Sequence, residues 1–130
     1  MTRLTKDNFK SERALEGFNK LVPQLQELCE AMWFFCAENE QPFIITETLT
    51  TTEVDEALGR VSQSHVEGRA IDARVSHWPE SFIEKFKNHF TEKYNHLGAV
   101  SKSDGVRRLI VHHDNGNGNH FHIQIGRDRI

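Results

Sequence analysis

The sequence predicts an α+β fold, with helices packed on one face of a small, mainly antiparallel sheet. Three observations carry that expectation. Apolar residues recur every three or four positions in two long stretches, 11–39 and 79–97, the spacing that lines one face of a helix. Short β-branched or alternating runs at 42–48, 70–75, 106–113 and 120–126 have the length and period of strands. Two Asn-Gly pairs, Asn115-Gly116 and Asn117-Gly118, separate the last two runs and mark a hairpin.

Bulk properties bound the classes open to this chain. Its 130 residues suit a single domain over 1–130 that buries roughly two-thirds of its unfolded surface. Hydrophobic residues make up 37% and charged ones 27%, a composition that folds rather than stays disordered. A net charge of −3 and the lack of a Lys/Arg block argue against nucleic acid as a partner. No apolar run reaches the ~18 residues of a membrane span. The opening residues Met1 to Asp7 lack the apolar core of a signal peptide, so synthesis in the cytoplasm without export by the usual route is expected.

Taken in order, residues 1–10 are mostly polar and read as an extended or loosely ordered lead-in. A helix over about 11–20 follows, with Leu15 and Phe18 on its apolar side. Pro23 is costly inside a helix and cheap in its first turn, so a second helix runs from near Pro23 to near Asn39. Its stripe is Leu25, Leu28, Met32 and Phe35 or Cys36. Cys29 and Cys36 share this helix, where seven residues rise ~10.5 Å, too far for them to pair. They read as small buried hydrophobes outside any metal site. A strand at 42–48 leads into a long loop, 49–63, with room for one helical turn at 53–58; loops of that length are often functional.

The strand over 70–75 places Ala70, Asp72 and Arg74 on one face and Ile71, Ala73 and Val75 on the other. Pro79 opens a helix that runs to about Leu97 with the stripe Phe82, Phe86, Phe90 and Tyr94, and Gly98 is expected to cap it. His89 and His96 on that helix read as surface residues. Ala99-Val100 adds a short strand, and 106–113 and 120–126 form the hairpin, with 114–119 as a wider loop than a two-residue turn. Residues 127–130 are a polar tail.

Chemistry concentrates in two places. Ser64 to Asp72 reads H-x-x-G-x-A-x-D from His65, and His120-Phe121-His122 reads H-x-H, with both imidazoles on one strand face. A carboxylate on an inward strand position needs a partner, because burying it alone is costly. Two imidazoles and a carboxylate, with a fourth polar group left beside them, match the three ligands and the spare group of a zinc site with an open position.

Together these segments resemble the zinc peptidase superfamily of D-alanyl-D-alanine carboxypeptidases. That superfamily includes D,D-dipeptidases, phage L-alanyl-D-glutamate endolysins and the hedgehog signalling domain. The resemblance spans about residues 20–126 and implies one zinc per chain, held by His65, Asp72 and His122 on the sheet face opposite the helices. It places His120 at the active site, either as a free group beside the metal or as a fourth ligand. Asp114, at the hairpin mouth, is the candidate to orient His120, or else a turn-forming aspartate.

Two departures stand out. Some members carry Glu or Asp three residues before the last ligand, where this chain has Asn119. Members often carry an arginine soon after the strand matching 43–46, and the first here is Arg60, which either reaches into the site or is solvated. The resemblance implies a monomeric zinc peptidase acting on peptidoglycan peptides, at a D-Ala-D-Ala or L-Ala-D-Glu bond. Lack of a leader suits a phage-type lytic enzyme released at lysis, or a cytoplasmic dipeptidase. Two other readings stand beside it: a zinc-stabilised module binding peptidoglycan or a protein partner, and a cytoplasmic peptidase with an unrelated peptide substrate.

Overall fold

The structure is a computed structural model that describes residues 3–57, 64–115 and 118–130. Four α-helices, α1 (Glu12–Phe18), α2 (Pro23–Glu38), α3 (Thr52–Ala57) and α4 (Glu80–Tyr94), accompany a four-stranded antiparallel sheet. Its strands are β1 (Ile45–Glu47), β2 (Ala70–Arg74), β5 (Ile110–Asn115) and β6 (Gly118–Gln124), in the order β1-β2-β6-β5. A separate ribbon pairs β3 (Ala99–Val100) with β4 (Arg107–Arg108). Among the described residues no helix is long and apolar enough to cross a membrane.

The helical stripes bury as their spacing demands. Leu25, Leu28, Met32 and Cys36 of α2 and Phe82, Ile83, Phe86 and Phe90 of α4 lie in one core with Ile71, Ala73, Phe121 and Ile123 of the sheet. Phe86 stacks on Phe121 with ring centroids 5.7 Å apart, and Phe35 of α2 packs edge-on to Phe86 and Phe90. These contacts seat α4 on the sheet face that carries Phe121. Alternation along the strand therefore turns His120 and His122 to the opposite face.

Five expectations change. Residues 4–9 are ordered, not loose: Leu4 and Phe9 are buried, a 3-10 turn at Lys6–Asn8 has a capping box with Thr5, and Phe9 bridges Ile45. Pro79 precedes α4 as its N-cap rather than standing as the first helical residue.

Gly98 does not close α4 in a left-handed conformation. A 3-10 turn at Asn95–Leu97 intervenes, and Gly98 has extended φ and ψ of −69° and 172°. Glycine is required there for space, since a Cβ would overlap the Arg108 carbonyl carbon and the Leu109 nitrogen. The run at 106–113 is likewise two strands. The Asn95 side chain donates to Arg107 O and accepts from Leu109 N, which divides β4 from β5 at Leu109. The hairpin is also tighter than expected: pairing continues through Asp114↔Asn119 to Asn115↔Gly118, leaving only residues 116–117 between the strands.

Candidate metal centre

The histidine loop is anchored before its chemistry begins. Gly68 sits at φ +71°, a region that strains other residues, and a Cβ there would press on the Lys20 carbonyl. Its own carbonyl accepts from Val22 N at 2.9 Å, tying the loop to the start of α2. Arg69 N donates to Ser64 O at 2.8 Å, and β2 then pairs with β6 in the register Asp72↔His122. The loop and the strand register together bring His65, Asp72 and His122 to one point. One ligand atom from each lies within 4.8 Å of the others.

The outer partners decide which nitrogens face inward. His65 Nδ1 donates to the Thr48 carbonyl at 2.9 Å, so its Nε2 carries the lone pair and lies 3.3 Å from Asp72 Oδ1. Gln124 Nε2 donates to Arg108 O, which fixes the amide and turns Oε1 to accept from His122 Nε2 at 3.0 Å. His122 Nδ1 is then the bare nitrogen, 3.1 Å from the same Asp72 oxygen. As neutral rings, both histidines direct a lone pair at a carboxylate. A cation, whether a proton on a ring or a shared metal ion, relieves that arrangement. Carbonyl and amide groups orienting each imidazole from behind are also the usual outer shell of a zinc histidine. The donor set therefore fits a divalent metal.

Electrostatics agree. Burial pushes the Asp72 carboxyl up, but the close approach of the His122 and His65 rings outweighs it and holds the group well below the ordinary carboxylate range. Asp72 is thus anionic at neutral pH, the form that binds metal.

The cluster opens into a cleft of about 1020 Å³ that also takes in His113, His120, Arg69, Arg108 and Lys102. His120 lies beside the cluster as its strand position requires. Asp114 does not join it: it pairs with Asn119 in the strand facing away, is exposed, and is absent from the cleft lining. The residue opposite His120 is His113, with ring centroids 5.2 Å apart. Burial, and then the neighbouring His120 and His122, lower the His113 pKa. Asn119 is held by His112. Arg60 lies outside the described residues. The cleft's buried cation is Arg69, whose Nε donates to Glu67 and one terminal nitrogen to Ile125 O at 2.6 Å.

His113 and Gln124 escaped the sequence reading although both follow from it. Continuing the period of His120 and His122 reaches Gln124, and a two-residue connection at 116–117 sets His113 against His120. The two consecutive Asn-Gly pairs left the turn position open, and His113 went with it.

Comparison with known protein families, with curated proteins and with solved structures found no match to this chain.

Proposed function

We propose that this chain is a zinc-dependent peptidase acting on peptidoglycan peptides, at a D-Ala-D-Ala or L-Ala-D-Glu bond. The observation that carries the reading is the convergence of His65, Asp72 and His122 on one point of an open cleft, with His120 beside it. The choice of substrate rests on the resemblance of H-x-x-G-x-A-x-D and H-x-H to the zinc carboxypeptidase superfamily. Two imidazoles and one carboxylate suit zinc over magnesium or calcium, which prefer all-oxygen shells. A zinc ion there supplies Lewis-acid polarisation of a carbonyl and brings the pKa of water to about 7.

The chain's own residues supply the rest. His65, Asp72 and His122 hold the ion, and Thr48 and Gln124 keep the two rings in the ligating tautomer. His120 is half-buried, and neither of its nitrogens has a hydrogen-bond partner among the described residues, so it is free to take a proton from water and return it to the leaving amine. Lys102 lines the cleft with no ion pair among the described residues and offers positive charge suited to a peptide carboxylate, whereas Arg69 and Arg108 are paired with Glu67 and Asp104.

One observation favours a second reading, a zinc-stabilised module that binds peptidoglycan or a protein partner without turnover. The position where relatives of this type carry a carboxylate base is Asn119, and its side chain is engaged by His112.

Zinc analysis with mass spectrometry of fragments released from purified peptidoglycan tests both. The peptidase reading expects about one tightly held zinc per chain and cleaved stem peptides. It also expects His120→Ala to keep that zinc and lose hydrolysis by ~10²–10⁴-fold. Zinc without fragments supports the binding module. Absence of tight zinc from the parent, with Asp72→Ala unchanged, ends both.

A further inference from the structure

A second histidine pair lies in the cleft and is not used by the three-residue cluster. His113 of β5 and His120 of β6 are direct cross-strand partners. Their rings are half-buried on the cleft side, 5.2 Å apart between centroids and tilted by 31°. That separation matches the 5.1 Å between His65 and His122, the two imidazoles of the cluster. It also matches chelation: a Zn–N bond of ~2.0 Å puts each ring centroid ~3.2 Å from the ion, and a tetrahedral angle then separates two centroids by ~5 Å.

Hydrogen bonding distinguishes this pair from the other histidines of the hairpin and cluster. His65 is held by Thr48, His122 by Asp72 and Gln124, and His112 by Asn119. Among the described residues neither the His113 nor the His120 side chain has a hydrogen bond or ion pair. Two half-buried rings therefore face one another with their polar atoms uncommitted, held by a paired hairpin rather than by a loop.

We propose that His113 and His120 form a second metal-binding site, a two-imidazole clip across β5 and β6 for a late divalent transition-metal ion such as zinc. Two neutral nitrogen donors select zinc, nickel or copper over magnesium and calcium. With one donor fewer and no carboxylate, the clip binds more weakly than the cluster. It fills when metal is in excess. If His120 carries protons as proposed above, occupation of the clip removes the lone pair it needs, and excess zinc inhibits.

Metal-free protein titrated with zinc, followed by calorimetry and by zinc counting after equilibrium dialysis, tests the clip without reference to activity. The expected result is two zinc ions per chain in two separate events, the second weaker than the first. His113→Gln keeps the tight event and loses the weak one, and His120→Gln does the same. Asp72→Ala loses the tight event and keeps the weak one. Circular dichroism confirms that each variant is folded. Saturation of the parent at its tight event alone, or a weak event that survives both glutamine variants, overturns the clip. A parent that shows only the weak event, abolished by His113→Gln, supports the clip while removing the cluster reading.

Discussion

At the scale of single residues, the orientation of His65 and His122 in the candidate metal cluster depends on groups outside that cluster. Gln124 takes the Nε2 proton of His122, and its own amide is fixed by the Arg108 carbonyl. Gln124→Ala should therefore weaken zinc binding ~10–100-fold while leaving the fold intact, read by competition with a chelating dye. An unchanged affinity would show that His122 is oriented by something else. Asp72 gives a pH dependence whose sign follows from its environment. Its carboxyl is depressed in the folded protein, so in the metal-free state it adds stability above the ordinary carboxylate pKa of ~3.9 and loses it as pH falls below. Asp72→Asn should flatten the acid side of a melting-temperature profile measured with chelator present. A parallel profile would mean that the carboxylate contributes nothing in that range. The buried Cys29 and Cys36 need no such role. Burial pushes both thiols up, Cys36 to about 12, which makes them poor nucleophiles in the folded state.

At the scale of elements, α4 and the β5–β6 hairpin do most of the positioning. Phe86 is fully buried and meets Phe121, Trp78, Phe82 and Phe90. Phe86→Ala should cost ~3–5 kcal/mol in urea unfolding, and a loss near zero would mean that α4 is not seated on the sheet through this ring. Gly98→Ala should also destabilise, because the Arg108–Leu109 peptide bond lies against the α-carbon and leaves no room to yield. Helices were legible in the sequence because a 3.6-residue stripe is long enough to repeat, as Phe82, Phe86 and Phe90 do. The convergence of the candidate ligands was legible because a strand keeps period two: His122 and Asp72 face the same side whatever the strand's exact ends. Features set by tertiary contact were not. Asn95 reaching between Arg107 and Leu109 splits a strand that reads as continuous, and nothing near Asn95 announces it. Asp114 stands near the turn in sequence, but one residue of register decides which face it takes. His113, its neighbour, has the cleft position instead.

At the scale of the whole molecule, the cluster joins parts of the chain that have little else in common. His65 comes from the loop leading into β2, Asp72 from that strand, and His122 from β6, fifty residues on. An ion bound there crosslinks the histidine loop to the centre of the sheet, and through Gly68 and Thr48 to the α1–α2 junction and the segment after β1. Because the unfolded chain presents no such site, binding free energy becomes folding free energy. A metal present at ~1,000 times its dissociation constant stabilises by about 4 kcal/mol. For a domain of this size that amounts to a melting-temperature difference on the order of 10–15 °C. Zinc-loaded protein should therefore melt higher than the same protein stripped with chelator, and added zinc should restore the difference. Magnesium should not, since it demands an octahedral oxygen shell that two imidazoles cannot provide. His113→Gln should leave the shift in place, because that residue lies outside the three-residue cluster, whereas His65→Ala should abolish it. If chelator leaves the melting curve of the parent unmoved, His65, Asp72 and His122 are a hydrogen-bonded polar group in a cleft wall. The peptidase and zinc-module readings would then both lose their foundation.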